Sequence, residues 1–439
     1  MFDTREKPRM VERAYLIGAF FNREDETVAN SLLDELAELV KTLGIEIIAK
    51  RCIFIRTRNK RYLTGTGKAA ELIEDAIDLG ADCIVFDNEM TPSQQRTWEN
   101  EAEMTVIDRE EVILDIFKMR AQTKEARLQV ELARMQYSLP RLARMWSHLD
   151  RQGGGGGGGG KGAARGEGEQ QIEVDRRLAR KRIDRIKAEL DDVRRNRQTQ
   201  RKQRKDEGIC QASIVGYTNA GKSSLLNALS GASVLAEDKL FATLDPTTRR
   251  IELPDGQPIL ITDTVGFVRN LPHRLVESFK ATLEEAVLAD FLIHVLDASS
   301  SEILSLYETT VNVVKELGAG EKPSIIVLNK IDLVDVDRLH ELGSHFDGNP
   351  VFISAHSGKG LDKLIHHIND MMVDRVYRLQ LRIPQARQDL VALLYREGKI
   401  VSEDYENNDI LINAVIPHSL RHRYDSFAEP KKADKESRV

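Results

Sequence analysis

Residues 216–224 read GYTNAGKSS, with Gly216, Gly221, Lys222 and Ser223 at the spacing G-x-x-x-x-G-K-[ST]. An apolar run at 209–215 precedes this stretch, and SLLNALSGA follows with Leu225, Leu226 and Leu229 on one helical face. A loop joining a buried strand to a helix start presents unpaired backbone N–H groups and the positive end of a helix dipole to an anion. The expectation is a phosphate cradle of Gly216, Tyr217, Thr218, Asn219, Ala220 and Gly221. Lys222 would reach the β- and γ-phosphates, and the Ser223 hydroxyl would ligate Mg²⁺.

Three further groups follow in order, each at the end of an apolar run. Asp263-Thr264-Val265-Gly266 would hold Mg²⁺ through water at Asp263 and meet the γ-phosphate at the Gly266 N–H. Asn329-Lys330-Ile331-Asp332 discriminates between bases. A buried Asp332 carboxylate, acceptor only, pairs with the N1–H and 2-amino groups of guanine, and adenine offers neither. Asn329 would face N7, Lys330 would pack over the ring, and the backbone of Ser354-Ala355-His356 would meet O6. The nucleotide expected is GTP, with GDP as its product. Between the first two groups, LFATLDPTTRR (240–250) reads as the segment that closes on the metal and γ-phosphate. Thr243, Thr247 and Thr248 are its candidate hydroxyls.

Phe267 follows DTVG, where many small GTPases place a glutamine that orients water. A phenyl ring cannot do so, which predicts slow hydrolysis without help. Asn219 is the one candidate for catalysis inside the chain, through K⁺ held between the phosphates. It serves equally well as a loop hydrogen bond, and a partner-supplied group is the other route.

These groups need several cores to position them. A chain of 439 residues with 41% hydrophobic and 31% charged residues is a soluble protein of about three domains. Cys52, Cys83 and Cys210 form no C-x-x-C pair and suit buried thiols in a reducing compartment. The charged N-terminus and the lack of a long apolar run predict a cytoplasmic protein without a membrane span.

Residues 13–118 alternate as strands (14–21, 45–49, 82–86, 104–107) and helices (27–43, 67–79, 93–101), a small parallel-sheet domain. TGTGK at 64–68 reads as a tight turn that starts a helix, with a phosphate loop as the lesser alternative. Residues 109–150 read as one long helix, broken before Pro140. Eight glycines follow at 153–160, then a second helix from 172 to 205 with Ile172, Leu178, Ile183, Ile186, Leu190 and Val193 apolar. Together they predict an antiparallel hairpin with a flexible tip. Its second arm carries 14 Lys/Arg against 5 Asp/Glu between Asp175 and Lys205, although the whole chain has a formal charge of −6. That local excess suits RNA phosphate. After the nucleotide core, strands at 380–383 and 409–416 and a helix at 389–397 suggest a small α+β end.

The ordered set resembles the HflX family of ribosome-associated GTPases. It does so through FATLDPT (241–247), DTVGF (263–267), FKATLEE (279–285), LPRLARMWSHLDRQGGG (139–155) and E-x-D-R-R (173–177). The resemblance implies GTP contact by Phe241, Ala242, Thr243, Leu244 and Asp245, with Thr243 as the Mg²⁺ ligand. It also implies binding to the large (50S) ribosomal subunit and its rRNA, with ribosome splitting under stress. The tip departs from the family wording, since Glu167 stands where proline is expected. The expected fold class is α/β: an N-terminal parallel α/β domain (1–120), a helical hairpin (121–207), a P-loop GTPase domain (208–374) and a small α+β end with a disordered tail (375–439). The chain is expected to be a monomer. Two other functions fit fewer residues: an ATP-dependent RNA remodeller using TGTGK, and a non-enzymatic assembly scaffold.

Overall fold

The computed structural model describes residues 11–141, 163–206, 209–231, 240–241, 243–254, 256–270, 285–346, 348–373, 376–417 and 420–428. The glycine tip, most of FKATLEE and the last eleven residues lie outside them. The chain divides into two compact units. The first comprises 1–193 with 237–245 and 267–281, and the second comprises 194–236, 246–266 and 282–439.

In the first unit, β1 (Arg13–Phe20), β2 (Glu46–Phe54), β3 (Cys83–Phe86) and β4 (Thr105–Asp108) form a parallel sheet ordered β2-β1-β3-β4. All of β1 beyond Arg13 is buried, as its unbroken apolar run requires of a central strand covered on both faces. The helices are α1 (Glu26–Thr42), α2 (Thr66–Asp78), α3 (Pro92–Ala102) and α4 (Arg109–Arg120). Gly65 stands at the N-cap of α2, so TGTGK opens that helix, and Lys68 pairs with Glu71 one turn on at 2.6 Å.

The long helix expected over 109–150 is two helices within its described part. The first, α4, stops at Arg120, and α5 runs Lys124–Ser138 before a short turn at Leu139–Arg141. The break lies at Ala121, whose backbone is extended, and at Thr123, whose hydroxyl accepts the Ala126 N–H and caps α5. Helix α6 (Ala163–Asp206) starts earlier than expected. Leu128 and Leu132 of α5 pack with Ile183, Ile186 and Leu190 of α6. Leu178, expected on this seam, is 41% exposed, and Ala179 is buried in its place. The spacing 179-183-186-190 follows the helical period, whereas 178 falls about 100° away.

The second unit carries a six-stranded sheet ordered β10-β9-β8-β5-β7-β6. Its strands are β5 (Cys210–Gly216), β6 (Thr247–Glu252), β7 (Pro258–Asp263), β8 (Phe291–Asp297), β9 (Ser324–Asn329) and β10 (Val351–Phe352), with only β6 antiparallel to its neighbour. Helix α7 (Lys222–Ser230) follows β5 directly. In the same unit, β11 (Val376–Pro384), β12 (Lys399–Glu406) and β13 (Asp409–Pro417) form an antiparallel sheet ordered β11-β13-β12. The strand β12 had no counterpart in the sequence reading, because KIVSEDYE is too charged to show an apolar alternation.

Candidate nucleotide-binding site

Every described motif of the second unit sits at the C-terminal end of a parallel strand, where open α/β sheets bind ligands. The loop after β5 turns through Asn219 (φ +60°) and Gly221 (φ +89°) into α7. A Cβ on Gly221 would lie 2.2 Å from Asn329 Nδ2, so only glycine fits there. Gly266 is equally confined: a Cβ would stand 2.8 Å from both Lys222 Nζ and Thr218 Cα. The DTVG segment and the loop therefore pack backbone to backbone.

Lys222 is 6% exposed, and its ammonium donates to Tyr217 O at 2.6 Å. Among the described residues no carboxylate forms an ion pair with it. Burial pushes its pKa down to about 8, with the charge of Asp263 opposing. A buried cation without an ion pair is costly until an anion arrives, and phosphate is the anion this loop is shaped for. The Thr218 hydroxyl, also buried, has no hydrogen-bond partner among the described residues. Ser223 Oγ donates to Asp263 Oδ2 at 2.6 Å. A hydroxyl beside a buried carboxylate is the hard-oxygen donor set that suits Mg²⁺.

Several side chains are committed to the protein itself. The Thr264 hydroxyl donates to Ile214 O at 2.7 Å. Asn329 Nδ2 donates to Ala220 O (2.9 Å), and its Oδ1 accepts the Ala355 N–H (3.0 Å). One carboxamide thus ties the phosphate loop to the Ser354-Ala355-His356 loop. Lys330, at φ +63°, pairs with Asp297 at 2.8 Å, and Ile331 is buried. Asp332 is exposed, not buried as expected: in the short turn Ile331–Leu333 it is Ile331 that takes the buried position. A hydrogen bond with Ser354 holds its carboxyl below the usual range, with the charges of His356 and Lys330 helping. It is therefore ionised at neutral pH, as pairing with two N–H donors requires.

The sequence of the chain decides its kinship. A GTPase HflX of Akkermansia muciniphila is 58% identical over 433 residues, spanning 97% of this chain and 99% of its own. The chain belongs to the HflX GTPase family. The HflX of Escherichia coli K12 is 39% identical, with 90% of this chain and 91% of its own covered. Three family regions match in order: "GTP-binding GTPase N-terminal" at 30–118, "GTP-binding GTPase Middle Region" at 120–204 and "50S ribosome-binding GTPase" at 211–330. A GTP-binding protein from Sulfolobus solfataricus, solved in complex with GDP, is 23% identical. It covers 83% of this chain and 99% of its own, with a TM-score of 0.42.

In this HflX chain the 240–245 and 267–270 segments belong to the first unit. Phe241 is buried and packs edge-on against Phe117 of α4, with ring centroids 4.7 Å apart. Ala242 lies outside the described residues, Thr243 is half-buried and Leu244 is buried. The Asp245 carboxylate accepts the Gln122 and Thr123 N–H groups (2.9 and 3.1 Å) and the Thr123 hydroxyl. Any contact of Asp245 with nucleotide is thereby left to its backbone. Phe267 is 1% exposed, a core side chain. Asn219 is the exposed residue of the phosphate loop. Sequence reasoning missed the structural duty of Asn329, the Asp297 partner of Lys330, and Arg269, which bonds to Glu35 and Ser31 on α1 (3.0 and 2.7 Å). No local pattern marks these, since each partner is remote in the chain.

Among the described residues no helix is long and apolar enough to cross a membrane.

Proposed function

We propose that this chain binds GTP with Mg²⁺, hydrolyses it slowly alone and faster on the large ribosomal subunit, and splits or rescues ribosomes under stress. The buried Lys222 ammonium, with no ion pair among the described residues, carries the nucleotide part of this reading. Ser223, Thr243 and, through water, Asp263 would hold the metal, which neutralises charge on the phosphates. Asp332 would select guanine. The chain's own groups bind and orient the triphosphate; Phe267, a buried phenyl ring, offers the attacking water no hydrogen bond. Stimulation from outside, or K⁺ held at the exposed Asn219, would supply what is lacking.

The ribosomal part rests on the relatives, on the family description of residues 211–330 and on the basic arm of α6, whose Arg176, Arg177, Arg180 and Lys181 are described and none of them buried. The proposed domain bounds are those of the sequence reading. Sedimentation of the GTP-analogue-loaded protein with separated subunits tests the reading. Co-migration with the large subunit, and GTPase turnover raised several-fold by it, is the expected result. Migration with neither subunit, and no stimulation, would refute it.

A further inference from the structure

The end of the chain, residues 376–428, carries its own core. Leu390 and Leu394 of the helix α8 (Gln388–Glu397) cluster with Ile410, Ile412 and Ile416 of β13. That core stops short of the outer strand. The strand β12 pairs with β13 and with no other strand among the described residues, so one side of its backbone is left without a ladder there. The register sets Tyr405 opposite Ile410 and Glu403 opposite Ile412. Cross-strand partners share a face, yet Ile410 and Ile412 are buried while Tyr405 is 68% exposed. Tyr395, next to the buried Leu394 on α8, is 64% exposed.

Both tyrosines meet the same acid. The Tyr395 hydroxyl donates to Glu403 Oε2, and the Tyr405 hydroxyl donates to Oε1 at 2.6 Å. These two bonds hold the carboxyl below its usual range, so it is ionised at neutral pH. Each oxygen accepts one phenol and keeps a second lone pair. What remains is a planar two-point acceptor beside two exposed rings, which a guanidinium matches through paired N–H donors and ring contact. No ion pair with Glu403 or Asp404 forms among the described residues. Arg382 lies instead by Glu406 (2.9 Å) and Asp409 (3.5 Å).

Charge decides what this edge can take. The strand reads KIVSEDYE, with acids at Glu403, Asp404 and Glu406. A second copy of the same edge would bring these acids opposite one another, which destabilises a strand pair. An RNA strand would bring phosphates to them, the reverse of the cation excess that nucleic acid binding uses. An extended segment rich in Arg or Lys meets neither objection. Its alternate side chains, about 7 Å apart, match the spacing of Glu403 and Tyr405 along one strand face. The register shift between Ile400 and Ser402 confines a new strand to Ser402–Glu406. We propose that β12 takes an extended, Arg- or Lys-rich protein segment as a fourth strand of this sheet, with one of its cations on Glu403 beside Tyr395 and Tyr405.

The test titrates the full chain with a fluorescein-labelled peptide of alternating Arg and Thr. Three further probes are the same peptide with Glu for Arg, the Arg peptide N-methylated at every residue, and fluorescent oligouridylate. The Arg peptide should bind saturably, and more weakly as salt rises. Glu403→Gln should weaken it about tenfold, through loss of a charged acceptor, and Tyr405→Leu about threefold, through loss of the cation–ring contact. The Glu peptide should not bind. N-methylation removes the ladder donors and keeps the charges, so it should weaken binding at least about tenfold. Circular dichroism of both variants should match wild type, since both positions lie at the margin of the core. Equal Arg-peptide affinity in wild type and Glu403→Gln, or binding indifferent to N-methylation, overturns the proposal. So does oligouridylate binding, or a concentration-dependent dimer in sedimentation, that Glu403→Gln alters, because RNA or a second copy then holds this edge.

Discussion

Protonating His294 should destabilise the GTPase sheet. It lies in the middle of β8, is 5% exposed, and its Nδ1 has no hydrogen-bond partner among the described residues. Its ring meets Tyr307 edge-on at 5.9 Å, and Tyr307 meets Phe346 at 5.3 Å, so its surroundings are apolar. Burial alone pushes its pKa from 6.5 down to about 4. Above pH 6.5 the ring is neutral in both folded and unfolded chains and contributes no pH dependence. As pH falls from 6.5 towards 4, only the unfolded chain takes up the proton. Each pH unit then removes ~1.4 kcal/mol, about 2 kcal/mol by pH 5 and about 3 kcal/mol at the limit. His294→Leu, apolar and of similar bulk, removes this term and also a buried polar atom that costs about 1–3 kcal/mol when unsatisfied. The variant should match or exceed wild type at pH 8 and exceed it by a further ~2 kcal/mol at pH 5. Neither tryptophan of the sequence, Trp98 nor Trp146, falls within β8 or β9. The measurement is therefore amide exchange in β8 and β9 under urea, which reports the sheet itself. A stability gap between wild type and variant that is the same at pH 8 and pH 5 would refute the reasoning.

Burial pushes the Lys222 pKa down to about 8, and phosphate would hold it charged. GTP binding at pH 8.5 should take up a proton and weaken as pH rises further, which calorimetry in two buffers of different ionisation enthalpy detects. Lys222→Ala should abolish binding at every pH. Gly266→Ala places a methyl against Lys222 Nζ and the Thr218 backbone. The backbone cannot yield as a side chain can, so GTP-analogue affinity should fall at least about tenfold, with about 1–3 kcal/mol of overpacking as the cause; fluorescence titration checks this. Asp332→Asn offers guanine a donor where an acceptor is needed. It should cost about 100-fold in GTP affinity, from the ~1.5–3 kcal/mol of a hydrogen bond to a charged group, and shift preference towards xanthine nucleotides in competition binding.

The phosphate loop, DTVG and N-K-x-D were legible because each encodes its geometry within a few neighbours. A strand, a glycine that must turn and a lysine at the helix start need no remote partner to be read. The alternation of β1 to β4 with α1 to α3 was legible for the same reason, through the periods of apolar residues. The single helix expected over 109–150 was not, since a helical period continues across Ala121–Thr123 and hides the break. The break becomes favourable once Asp245, 122 residues from Thr123, takes the N–H groups that the break exposes.

By itself, then, the chain's sequence determined where the candidate chemistry lies: the G-x-x-x-x-G-K-[ST] loop, DTVG and N-K-x-D, all set by short-range spacing. Tertiary structure decided which side chains are spent on the protein. Asn329 locks two loops, Asp332 is exposed, and Arg269 meets Glu35 across 234 residues. The reason is physical: a hydrogen bond or ion pair forms between groups that folding brings within about 3 Å, and no local period records which distant segments will arrive there.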